Sequence, residues 1–178
     1  MERVSVVGSS GSGKTTFARE LARGLGVPHL ELDSVFHQPG WKQLDRDTFH
    51  ERVSAFAAGP RWVVDGNYVS HGAAALVWAR ADTIVWLDLP RWRVMAQLVP
   101  RTLRRVATGA ELWNGNRERW SNLIDRRPEE NVLLWAWARH ASLRARYEAY
   151  AYDSTWAGHQ VHRLRSRHEI RHFLERAR

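Results

Sequence analysis

Residues 8–15 read Gly8-Ser9-Ser10-Gly11-Ser12-Gly13-Lys14-Thr15, a complete G-x-x-x-x-G-K-[ST] run. No other stretch limits the fold so tightly. Arg3-Val4-Ser5-Val6-Val7 before it reads as a short buried strand, and the residues from Lys14 through Ala22 read as a helix. Glycines let backbone N–H groups turn inward around a phosphate with no Cβ in the way. The helix beginning at Lys14 aims its unpaired N–H groups and positive dipole end at the same anion. Lys14 is expected to reach the β- and γ-phosphates, and the Thr15 hydroxyl to ligate Mg²⁺. Gly8, Ser9, Ser10, Gly11, Ser12, Gly13, Lys14, Thr15 and Thr16 are therefore the expected seat of a nucleoside triphosphate. Only Lys14 and Lys42 among the 27 basic residues are lysine, so an arginine-preferring chain keeps lysine at this position.

A chain of 178 residues is expected to form one domain, burying roughly two thirds of its unfolded surface. No stretch approaches the roughly 18 apolar residues of a membrane span. The first strand starts almost at once, so no leader is expected, and zero cysteines exclude disulfides and thiolate metal sites. The expected location is cytoplasmic. The net charge of +8 favours anionic partners such as nucleotides, phosphorylated metabolites or nucleic acid, although codon bias toward arginine accounts for it equally well. Most of the ten tryptophans sit in apolar runs and are expected in the core.

Further along, Val27–Asp33 reads as a second strand ending on a carboxylate, followed by an irregular Ser34–Trp41 with a Pro39-Gly40 turn. A helix is expected over about Asp45–Ala58, with Asp45 or Asp47 as cap and Phe49, Val53 and Phe56 on one face. Arg61–Tyr68 reads as a third strand breaking at Gly66, and Ala73–Arg80 as a short helix. Asp82–Leu89 reads as a fourth strand, and Arg91–Val106 as a helix kinked by Pro100. Residues 107–128 are polar and read as mobile. A long helix is expected over about Glu129–Ala151 with Pro128 near its first turn. Gln160–Arg165 reads as a last strand and Ser166 as the cap of a final helix. This alternation predicts an α/β fold, a three-layer α/β/α P-loop NTPase with a five-stranded parallel sheet and a small helical lid at about 107–128. Ligands of such sheets bind at the carboxyl ends of the strands, where Asp33, Asp65 and Asp88 are expected.

With those residues in view, the chain resembles the adenylate-kinase-like P-loop kinases, a group that includes nucleoside monophosphate kinases and shikimate kinase. More closely, it looks like the small bacterial proteins labelled DNA topology modulation protein. That resemblance rests on Val6–Thr16, Leu32-Asp33, Pro39-Gly40-Trp41, Trp62–Tyr68, Arg80–Thr83 and Leu87–Arg91. It covers residues 1–105 well and the rest in outline. It implies that Asp65 holds the Mg²⁺ water shell and that Asp33 contacts the acceptor, as base for a hydroxyl or as orienting group for a phosphate. It also implies a catalytic arginine at Arg101, with Arg104 and Arg105 as neighbouring alternatives. Gln97 stands where the family usually stacks an arginine on adenine. Arg117, Arg119, Arg126 and Arg127 would be further phosphate clamps or a solvated charge run. Trp41, Asn67 and Tyr68 follow strand ends, where they could contact the acceptor.

The expected activity is thus an ATP- and Mg²⁺-dependent phosphotransferase acting on a small-molecule or nucleotide acceptor between the 34–41 loop and the Asn67-Tyr68 turn. A kinase of nucleic-acid ends, which steep salt dependence would reveal, and a regulatory ATPase without acceptor are the competing readings.

Overall fold

The computed structural model describes residues 1–125, 127 and 131–177. Strand β1 (Arg3–Gly8) runs through the loop into helix α1 (Lys14–Leu25), which stops at left-handed Gly26. Strand β2 (His29–Glu31) passes directly into a five-residue helix, α2 (Leu32–Phe36). A two-stranded ribbon, β3 (His37–Gln38) and β4 (Lys42–Gln43), brackets a 3₁₀ turn at Pro39–Trp41. Helix α3 (Arg46–Ala57) starts at Asp45, whose carboxylate accepts the Thr48 N–H. Then come β5 (Trp62–Asp65), α4 (Ala73–Trp78), β6 (Thr83–Leu87) and α5 (Arg91–Thr108). A 3₁₀ turn at Trp113–Gly115 and helix α6 (Trp120–Ile124) lead to α7 (Val132–Tyr152), capped by Asn131. Strand β7 (Gln160–Leu164) and helix α8 (Arg167–Arg176), capped by Ser166, complete the chain.

Five strands form one parallel sheet in the order β2-β5-β1-β6-β7. Parallel neighbours need crossovers, and the helices that supply them cover both faces. Strand alternation divides the core accordingly. Val4, Val6, Val63, Val85 and Leu87 meet Phe17, Leu21 and Leu174 of α1 and α8. On the opposite face Val7, Trp62, Val64, Ile84 and Trp86 meet Phe49, Val53, Val77 and Tyr147 of α3, α4 and α7. The three-layer α/β/α architecture and the five-stranded parallel sheet follow the sequence expectation. They bring the carboxyl ends of β1, β2, β5 and β6 to one edge.

Several boundaries differ. The second strand stops at Glu31, so Asp33 lies in α2 rather than at a strand end. A helical turn there points Leu32 and Phe36 into the core together, four residues apart. Strand β5 ends at Asp65, three residues before Tyr68. Helix α5 passes through Pro100 without a break. Within the segment after α5, read as mobile, two residues bond to the 34–41 loop: Asn114 Nδ2 donates to Ser34 O and His37 O, and Asn116 Nδ2 to Gln38 O. The expected helix start at Pro128-Glu129 lies outside the described residues, as does Arg126. Only Trp62, Trp78, Trp86 and Trp156 are buried, so the expectation that core packing absorbs most of the tryptophans fails.

Candidate active site

The loop is built by its glycines. Gly8 at φ +155° could not carry a Cβ, which would lie 2.9 Å from the Leu87 carbonyl. Gly11 at φ +83° packs against α5, where a Cβ would come within 2.8 Å of Leu98 Cβ. Gly13, left-handed, caps α1 with no side-chain hydrogen bond, so the first-turn N–H groups face outward. Ser10, Gly11, Gly13, Lys14, Thr15 and Thr16 line a cleft of about 1160 Å³. Gly8, Ser9 and Ser12 shape the loop from behind, with the Ser12 N–H donating to Ser9 O at 3.1 Å. Lys14 makes no ion pair with any described residue, which leaves its ammonium available to an anion.

Next to the loop the Thr15 hydroxyl donates to Glu31 Oε1 at 3.1 Å. Glu31 was not among the expected site residues; it is the true end of β2 and stands in register with Asp65 on β5. Asp65 is buried, with one oxygen 3.2 Å from His29 Nε2 and Oδ2 without a partner among the described residues. No group of three or more His, Cys, Asp or Glu side chains gathers to hold a metal alone among those residues. A hydroxyl, a carboxylate and an orphaned buried carboxylate oxygen beside a phosphate seat do fit Mg²⁺, which commonly takes one or two carboxylates and completes its shell with phosphate and water.

Across the cleft, Tyr68 Oη donates to Asp33 Oδ1 at 2.7 Å and lies 3.4 Å from His37 Nε2. Burial, then the charge and hydrogen bond of Asp33, push the Tyr68 phenol far above its ordinary pKa, so it stays a neutral donor. Burial lowers the His37 pKa against the opposing pull of Asp33, which favours neutral imidazole. The His37 ring stacks on Trp113 at 5.7 Å and meets the edge of Trp41 at 5.3 Å. Trp41 adopts φ +59°, a region costly for a bulky residue. Two contacts hold it there: its N–H donates to Asn116 Oδ1 at 2.8 Å and its indole to Arg117 O at 3.3 Å. Asn67, expected to face an acceptor, lines the cleft, and its amide is bonded to the loop and to α7. Its Nδ2 donates to Gly8 O at 2.6 Å, and its Oδ1 accepts the Gly8 N–H and the Tyr147 hydroxyl.

The third wall is basic. Arg101 of α5 lines the cleft. Desolvation by its surroundings and then Arg105 lower the pKa of its guanidinium, opposed by Glu118, Asp33 and Glu31. Arg105 donates to Glu118 Oε1 at 3.2 Å. Arg104 does not line the cleft. Of the expected clamps, Arg119 lines it, Arg117 pairs loosely with Glu111 at 3.9 Å, and Arg127 pairs with Asp125 at 2.7 Å. Arg139 and Arg146 of α7, which were not singled out, do line it together with Trp135. Residues 132, 135, 139, 142 and 146 recur at helical spacing, a signal obscured by the apolar run around them. Asp88 is set apart from the other carboxylates: it is buried between Arg163, at 2.8 Å, and Arg144, at 3.1 Å, away from this cleft.

No family model matches the chain. A 59-residue stretch is 34% identical to the cytidylate kinases of two strains of Nitratidesulfovibrio vulgaris, covering 30% of this chain and 25% of each relative. The match thus spans about a quarter of those curated relatives. Among solved structures, the shikimate kinase from Acinetobacter baumannii in complex with shikimate superposes with a TM-score of 0.57 at 16% identity, over 99% of this chain and 90% of that one. The shikimate kinase from Bacteroides thetaiotaomicron gives 0.54 at 17% identity, over 98% and 95%. A sugar kinase from a Janibacter species gives 0.53 at 18%, over 99% and 92%. These likenesses establish the architecture: the chain has the three-layer α/β/α fold of the P-loop NTPases, in the form shared by these small kinases.

Proposed function

We propose that the chain is an ATP- and Mg²⁺-dependent phosphotransferase, a single cytoplasmic domain that transfers the γ-phosphoryl group to a small-molecule or nucleotide acceptor. The observation that carries this reading is the shared cleft: the loop, the Asp33–Tyr68–His37 group and Arg101, which feels the charge of Asp33, all line it. A simple ATPase or switch needs the first wall and has no use for the second. The kinship of sequence with bacterial proteins labelled DNA topology modulation protein belongs to this proposal too, and no reaction is drawn from that label.

In this reading the Gly8–Thr16 loop and Lys14 hold the triphosphate. Thr15, Glu31 and Asp65 would hold Mg²⁺, which when bound neutralises charge on the β- and γ-oxygens. Tyr68 fixes Asp33 through one oxygen. The other oxygen accepts the acceptor's hydroxyl proton as that hydroxyl oxygen bonds to the γ-phosphorus. The bond from phosphorus to the bridging oxygen breaks with its electron pair left on ADP, and the proton passes from Asp33 to solvent. Arg101 offsets charge on the transferring group, while Arg105 and Arg119 neighbour it. The strap from Glu111 to Arg119 shields the exchange from water.

The test is ATP consumption by pure protein with Mg²⁺ across a panel of alcohols, acids, nucleosides and nucleoside monophosphates, with Lys14→Ala alongside. Acceptor-dependent turnover that vanishes in Lys14→Ala supports the proposal. The same slow hydrolysis in every well would make the regulatory ATPase the better reading.

A further inference from the structure

The cleft divides by charge, and the division bears on what the acceptor is. Every cationic side chain among its described lining residues comes from α1, α5, the strap or α7: Lys14, Arg19, Arg101, Arg105, Arg119, Arg139 and Arg146. None of the lining residues between 33 and 71 is lysine or arginine. That wall offers a carboxylate, a phenol already committed to it, the imidazoles of His37 and His71, and two indole rings, Trp41 and Trp113, which reach it from the ribbon and the strap. Asp33 forms no ion pair, and its Oδ2 has no partner among the described residues. It therefore seeks a donor from the ligand. A phosphomonoester or carboxylate seated here would meet Asp33 with no guanidinium on its own wall, and Arg101 of the facing helix, which feels Asp33, is committed to the transferring group, an arrangement that works against anions.

Resting on the phosphotransferase reading, we propose that the acceptor is an uncharged polyhydroxylated molecule of the sugar or sugar-alcohol class rather than a nucleoside monophosphate or other anion. One hydroxyl donates to Asp33 Oδ2, and the apolar C–H face of the ring packs on the indoles of Trp41 and Trp113. Burial keeps His37 neutral, so it adds a hydrogen-bonding edge without adding the missing cation. The strap completes this pocket: Trp113 is carried to His37 only because Asn114 and Asn116 hold it to residues 34–41.

The experiment compares neutral sugars, sugar alcohols and inositols with their own phosphomonoesters and with nucleoside monophosphates, following ADP release with Mg²⁺-ATP. At least one neutral compound should raise turnover about tenfold or more above basal hydrolysis. Its phosphomonoester should be at least about tenfold poorer in kcat/KM. Trp113→Ala should then raise KM for the neutral acceptor by about tenfold, and Trp113→Phe should restore most of it. Stimulation by nucleoside monophosphates with none by the neutral set overturns the acceptor class and leaves the phosphotransferase reading standing. Absence of stimulation in both sets also overturns the class. Failure of the broader reading is seen separately, as loss of ATP binding in titration calorimetry or as hydrolysis indifferent to Lys14→Ala.

Discussion

The Tyr147 hydroxyl donates to Asn67 Oδ1 at 2.8 Å, and that same oxygen accepts the N–H of Gly8, the first residue of the phosphate loop. Helix α7 is thereby tied to the loop through one amide. Tyr147→Phe keeps the ring stacked on Trp156 and removes only the hydroxyl. Stability should fall by about 1 kcal/mol, the worth of one buried hydrogen bond. KM for ATP should rise several-fold while acceptor KM holds, measured by steady-state kinetics. Asn67→Ala, which unties both partners, should do more of each.

Asn116 is buried; it joins the strap to the 34–41 loop through the Trp41 N–H and Gln38 O, and also bonds Trp113 O within the strap. Asn116→Ala strands a donor and two acceptors, each worth about 1–3 kcal/mol if it stays dry. The strap should detach rather than bear that cost. Hydrogen exchange over residues 109–125 should then quicken strongly, while exchange in the sheet remains slow.

These two residues also mark where sequence reading stops. The Gly8–Thr15 loop, the alternation of strands and helices, and the Ser166 and Asp45 caps all express local chemistry, and each is legible in a short window. Glu31 escaped because Leu30 and Leu32 prolong a strand-like pattern through Asp33. Only the packing of Leu32 against Gly66, just past the end of β5 and more than thirty residues away, shows why the chain turns helical one residue after Glu31. Arg139 and Arg146 were hidden by the tryptophans and alanines around them. The Asn67–Gly8 and Asn116–Trp41 pairs are long-range, and no single-sequence period encodes them.

Acid should weaken the fold in two stages. Burial lowers the pKa of His37, and burial and then Arg176 lower that of His162, both from about 6.5. The unfolded chain therefore binds more protons than the native one just below that value, so stability falls as pH drops through it and levels off below the folded values. Glu169 has the opposite origin: the Arg165 N–H holds its pKa below the ordinary range, and its contribution is lost only at lower pH, through the folded value. Urea melts between about pH 7 and about pH 5 should show the first loss. A His37→Gln, His162→Gln double variant should flatten it.

Asp88 is a buried anion shared by Arg163 and Arg144, and Arg163 also lies over the Trp86 ring at 4.2 Å. Asp88→Asn removes the shared anion and leaves Arg163 with Glu148, at 2.9 Å, as its remaining partner. It should cost about 2 kcal/mol, the worth of hydrogen bonds to a charged group. Chemical denaturation checks it. Arg163→Met, which retains contact with the indole, should cost less than Asp88→Asn.

The approach of Gly11 to Leu98 has a consequence beyond fitting the loop into place. Leu98 stands one helical turn before Arg101, so a contact between two apolar surfaces sets how far the Gly8–Thr15 loop lies from the Arg101 guanidinium. A spacing set this way is a steric ruler. It has no charge for salt to screen and no proton to gain or lose, so the working distance of the site stays constant while the ion pairs around it respond to every change of solvent.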